Sequence, residues 1–189
     1  MARWALLSEE NGEARANRAL AIVEHFAAAS VRVAGFVQRK RVDPQGPKRY
    51  EVVRLRDHET VALAVGGPMA RGPAGENICT LAFHDGGFDA ARRWLEEDAP
   101  GADVLVLDGI GKVEASGRGH AAALDAALRQ PDKVVLICAR ASLLFSVVER
   151  FGLEEETMVA ALELPADEAA MDAFVRAISE ACPARPAPR

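Results

Sequence analysis

The sequence predicts a three-layer α/β fold, a mainly parallel sheet with helices on both faces and an inserted β-hairpin. Three observations carry this. The runs at residues 103–108 (DVLVLD) and 133–139 (KVVLICA) are short and almost wholly apolar, as strands buried on both faces must be. Segments with apolar residues at helical spacing alternate with such runs. Residues 42–65 break that alternation with a turn cluster and two further strand-like runs. The expected layout is one domain over residues 1–182, with a hairpin insertion at about 42–65, a loop at 66–77 and a disordered tail at 183–189.

Residues 4–7 form the first short apolar run, read as a buried strand. A loop, Ser8-Glu9-Glu10-Asn11-Gly12, follows it. Ala16, Ala19, Leu20, Val23, Phe26 and Ala27 then recur at helical spacing, which predicts a helix to about Ala29. Residues 31–38 (VRVAGFVQ) alternate and are β-branched, which predicts a second strand. Strand, helix and strand in this order make a βαβ unit, whose strands are expected to be parallel neighbours.

Residues 50–55 and 60–65 flank Arg56-Asp57-His58-Glu59 and predict the inserted hairpin. Residues 66–75 are rich in glycine and proline, so a loop follows. Further strands are expected at 78–83, 103–108, 133–139 and 158–164. Helices are expected at 88–97, around His120 to Leu128, at 143–151 and at 169–182. Asp85 is expected to cap the first of these. The tail, PARPAPR, has too little apolar surface to pack.

Composition excludes several functions. The chain has 189 residues, half of them hydrophobic, and a net charge of −5. That suits a globular domain and gives no overall basic footprint for nucleic acid. The basic cluster Arg39-Lys40-Arg41 with Lys48-Arg49 reads as a solvated hairpin. Cys79, Cys138 and Cys182 are few and far apart, so neither a disulfide framework nor a zinc site is expected. Cys138, inside VVLICA, reads as a core thiol. His84 and Asp85 with Cys79 do not complete a tetrahedral metal set. With no apolar stretch long enough for a membrane span, a cytoplasmic location is expected.

Ligands of such sheets bind at the carboxyl ends of the strands, and two strand ends stand out. The loop after Leu7 has the position of a phosphate-binding loop, whose form is G-x-x-x-x-G-K-[ST]. The residues differ. With Gly12 as the second glycine, Leu7 stands for the first, Glu13 for the lysine and Ala14 for the hydroxyl residue. Moved by one residue, the frame puts Ala14 and Arg15 in the last two places. Glu9, Glu10 and Glu13 add negative charge, which opposes a polyphosphate. Asn11, Gly12 and Arg15 are the residues of this loop able to touch a ligand. The second strand end is Asp108, placed where a magnesium-side acid would stand, followed by the glycine-rich Gly109 to Gly119.

The segment LVLDGIGKVEASGRG resembles the "viDEIGkmE" signature of the small nucleoside-triphosphatase family known from thermophiles and from a human cancer-related member. VRVAGFVQ resembles that family's second strand, and KVVLICAR its strand ending in a basic residue, here Arg140. The resemblance spans about residues 3–178. It is greatest to a bacterial branch with a degenerate phosphate loop, some of whose members lie near molybdenum-transport genes. It implies Asp108 as catalytic and metal-side acid, with Gly109 in place of the catalytic glutamate. It also implies Gly111, Lys112 and Arg140 as ligand-binding residues, with Glu114 as the carboxylate left to replace the missing one.

These observations lead to a ligand- or partner-binding protein of P-loop NTPase-like build that has lost hydrolysis, with a small anionic ligand or a protein as partner. Neither nucleic acid nor membrane is expected as a partner. One alternative is a slow magnesium-dependent nucleoside triphosphatase with a non-standard phosphate loop; only that reading calls for magnesium and a nucleotide as cofactors. Another is an accessory role in handling metals or oxyanions related to molybdenum.

Overall fold

The structure, a computed structural model, describes residues 2–9, 15–41, 46–66, 77–78 and 81–183, with backbone only at 15–18 and 77–78. Asn11, Gly12, the loop at 67–76, Cys79 and the tail from 184 onward lie outside the described residues.

Among the described residues nine strands form one sheet. In chain order they are β1 (Arg3–Ser8), β2 (Val33–Arg41), β3 (Lys48–Arg54), β4 (Thr60–Gly66), β5 (Asn77–Ile78), β6 (Leu81–Phe83), β7 (Val104–Ile110), β8 (Val134–Ala139) and β9 (Met158–Glu163). Across the sheet the order is β5-β6-β4-β3-β2-β7-β8-β1-β9. From β2 to β9 the neighbours are parallel, while β3, β4, β6 and β5 add antiparallel strands at one side.

The helices are α1 (Arg15–Ala28), α2 (Asp85–Asp98), α3 (Lys112–Ala115), α4 (Ala121–Leu128), α5 (Leu144–Phe151) and α6 (Glu168–Ala181). They sort by the two-residue period of the strands. Trp4, Leu6, Phe36, Leu105, Leu107, Val135 and Ile137 pack against apolar residues of α2, α4 and α5. The alternate residues, among them Leu7, Val37, Val106, Leu136 and Cys138, pack against Ile22 and Phe26 of α1 and Phe174 and Ile178 of α6. The predicted three layers with an inserted hairpin are present.

Three sequence expectations are corrected. β1 and β2 run the same way but are separated by β8 and β7. The reason lies in composition. Every residue of β8 is buried, as are Val104 to Leu107 of β7, so these strands take the centre of the sheet. The run read as one strand at 78–83 is two short antiparallel strands, β5 and β6, with Ile78 opposite Leu81. Helix α2 starts three residues before Phe88. His84 occupies its cap position without a side-chain bond, and Asp85 lies in the first turn, where its charge suits the helix dipole. The glycine-rich stretch after β7 contains the single turn α3.

The hairpin is anchored to α2 by Arg54, whose side chain is 9% exposed. Its Nε and one Nη donate to the two oxygens of Asp98, each at 2.7 Å, and the same Nη reaches Glu97 at 2.9 Å. Arg56 adds a 3.0 Å contact to Asp98. The Arg54 hydrogen bonds hold the Asp98 carboxyl below its ordinary value against the opposing effect of burial.

Candidate ligand site at the carboxyl edge of the sheet

The parallel strands end together, so β1, β2, β7 and β8 bring Glu9, Gln38, Asp108 and Arg140 to one edge. Asp108 is fully buried, and its Oδ2 accepts the backbone N–H of Gln38 at 2.8 Å. That bond continues the β2–β7 ladder by one rung after Phe36 and Leu107. Against β8 the register shifts between Asp108 and Ile110, leaving Gly109 as a bulge at φ +83°.

The side chain of Gln38 lies over Gly109. A Cβ placed on that glycine would stand 2.0 Å from Cδ of Gln38. From there the Gln38 Nε2 approaches His120 Nε2 at 3.2 Å. The imidazole is buried between Phe36, at 4.4 Å between ring centroids, and Phe88, edge-on at 4.8 Å. Its Nδ1 has no hydrogen-bond partner among the described residues.

Glu114 closes the next turn. Its Oε2 accepts the N–H of Gly111 at 2.9 Å and its Oε1 the N–H of His120 at 3.0 Å. The carboxylate is almost wholly buried. It links the start of α3 to the start of α4, and this is why a stretch so rich in glycine has a fixed shape. Asp108, Gly111 and Glu114 therefore belong to one hydrogen-bonded unit with Gln38 and His120. Lys112 and Arg140 are exposed at the same edge. Arg15 opens α1, but its side chain lies outside the described residues, as do Asn11 and Gly12.

Neither Gln38 nor His120 stands out in the sequence as a site residue. Gln38 looked like one polar member of an alternating strand, and His120 like one residue of a helix. Glu9 was visible only as one of several acids. In the structure it is 6% exposed, and its Oε2 has no hydrogen-bond partner among the described residues. The groove of about 420 Å³ lined by Leu128, Pro131 and Phe151 lies at the opposite end of the strands. No group of three or more His, Cys, Asp or Glu among the described residues is placed to hold a metal ion.

Burial lowers the His120 pKa to about 3, so the ring is neutral at ordinary pH. In the unfolded chain it regains a value near about 6.5 and binds a proton below it. The unfolded state thus holds the extra proton between these two values, and stability falls as pH drops through that window. The slope from this group is at most about 1.4 kcal/mol per pH unit. Denaturant titrations between about pH 7 and about pH 5 should show it in the native sequence, and His120→Asn should lose that part. Equal slopes in both proteins would assign the titration to other groups.

The solution structure of a human cancer-related nucleoside triphosphatase aligns with a TM-score of 0.64 and 19% identity, covering 95% of this chain and 96% of that one. The crystal structure of THEP1 from the hyperthermophile Aquifex aeolicus aligns with a TM-score of 0.61 and 13% identity, covering 92% and 95%. The chain thus has a P-loop NTPase-like α/β fold. By sequence it belongs to the family described as a protein of unknown function, DUF2478, which it matches over residues 5–174. No curated protein matches it by sequence. No helix among the described residues is long and apolar enough to cross a membrane.

Proposed function

We propose that this chain is a cytoplasmic ligand- or partner-binding protein that keeps the frame of a nucleotide hydrolase without hydrolysing nucleotides. The observation that carries this reading is Gly109. A water-activating carboxylate after Asp108 would need a side chain there, and the place is taken by Gln38 over a left-handed backbone. The fit to a magnesium–nucleotide centre is poor in other respects too. Glu114 already accepts two backbone N–H groups. The segment 8–14 carries Glu9, Glu10 and Glu13 and no Lys or Arg. A phosphate brought next to a buried carboxylate is repelled most where water is excluded.

Isothermal titration with ATP and with GTP, each with magnesium, should give no binding at micromolar concentrations. Micromolar affinity for either would sink the proposal. Asp108, at the place of a magnesium-side acid, favours the second reading, a slow triphosphatase. That reading requires phosphate release that disappears in Asp108→Asn.

A further inference from the structure

We infer that the carboxyl edge at Glu9 takes the ammonium or guanidinium group of a small organic cation. The inference rests on the ligand-binding reading above and names the class of ligand. Glu9 directly follows β1, and its N–H is held by the Ala139 carbonyl at 3.3 Å. The side chain is 6% exposed, and Oε2 lies inside without a donor among the described residues. A carboxylate oxygen removed from water and left unpaired is costly, and the cost is relieved by a donor that brings positive charge.

The strand period says where this group faces. Leu7 packs in the layer of α1 and α6, together with Val106 and Cys138. Glu9, two residues beyond Leu7, and Asp108, two beyond Val106, continue on that face. One strand, β8, separates them, so their backbones stand roughly 10 Å apart. Two buried acids on one face of one edge make a negative field there. Arg140 stands beside Glu9 at the end of β8, but it is exposed and no ion pair joins the two. A divalent metal asks for about six oxygen ligands, and the described residues assemble no such group. An ammonium or guanidinium asks only for an unpaired carboxylate oxygen, and Glu9 presents one among the described residues.

The test uses the full chain. Putrescine, spermidine and agmatine should each raise its Tm by at least about 2 °C at saturation, and the rise should vanish in Glu9→Gln. Magnesium, pyrophosphate and molybdate should leave Tm unchanged. In the native sequence, amide NMR shifts on adding spermidine should concentrate at Ser8, Glu9 and Ala139, which keeps the test independent of how the variant folds. Three results overturn the inference: no response to amines, a response that persists in Glu9→Gln, or amide shifts confined to exposed acids elsewhere. A chain that ignores both amines and nucleotides loses this inference alone, whereas micromolar ATP or GTP binding removes the reading beneath it.

Discussion

Gly35→Ala is expected to leave the chain unfolded or to lower its Tm by more than about 10 °C, a loss in the range of severe core defects. Gly35 sits in β2 at φ +117°, and a Cβ there would meet the Val106 carbonyl oxygen at 2.0 Å and its carbon at 2.9 Å. Both atoms are backbone, so no side chain can give way. The strand cannot swing aside either. It pairs with β7 from Val33 opposite Val104 to Phe36 opposite Leu107, and the Gly35 carbonyl accepts the N–H of Leu55 at 3.0 Å. This seam joins the parallel strands to the inserted hairpin. Gly101→Ala is the control, because a Cβ there meets nothing within 4 Å. It should stay within about 0.5 kcal/mol of the native sequence. Thermal unfolding followed by circular dichroism compares the two. A drop of under about 3 °C for Gly35→Ala would mean that β2 and β7 do not approach as described.

What was legible in the sequence was legible for local reasons. The apolar runs of β7 and β8 announce strands buried on both faces, and the helical spacing of Ala19, Val23 and Phe26 announces α1. The order of strands is not a local property. The βαβ rule favours neighbours, and only competition for the centre of the sheet moves β1 and β2 apart. The site divides in the same way. Asp108 could be found because it closes a strongly apolar run. Gln38 and His120 could not, because their significance lies in contacts across 70 and 82 residues of chain. Glu114 was found for a different reason. Its match to a signature pointed to chemistry, whereas its two bonds to backbone N–H groups make it the brace of a turn.

Gly109→Glu restores the carboxylate that would be expected after Asp108, and it should fail to restore hydrolysis. The new Cβ would stand 2.0 Å from Cδ and 2.1 Å from Nε2 of Gln38, so the glutamine must leave. Its departure removes the contact to Nε2 of His120, in a ring whose Nδ1 already has no partner among the described residues. A non-glycine residue in the left-handed region costs about 1–2 kcal/mol, and stranding a buried polar atom costs about 1–3 kcal/mol. Together these lower stability by roughly 3 kcal/mol, or about 6–12 °C in Tm. Adding Gln38→Ala relieves the crowding but not the backbone strain. The double variant should therefore be more stable than the sum of the single losses predicts, with a coupling of about 1 kcal/mol. Phosphate release from ATP with magnesium should stay at background in all three variants. If Gly109→Glu instead hydrolyses ATP while keeping the native Tm, the position was only waiting for its carboxylate, and the protein is a hydrolase one substitution from activity. The packing of Gln38 on Gly109 argues against this: regaining a carboxylate here requires the glutamine, its histidine partner and the backbone bulge to change together.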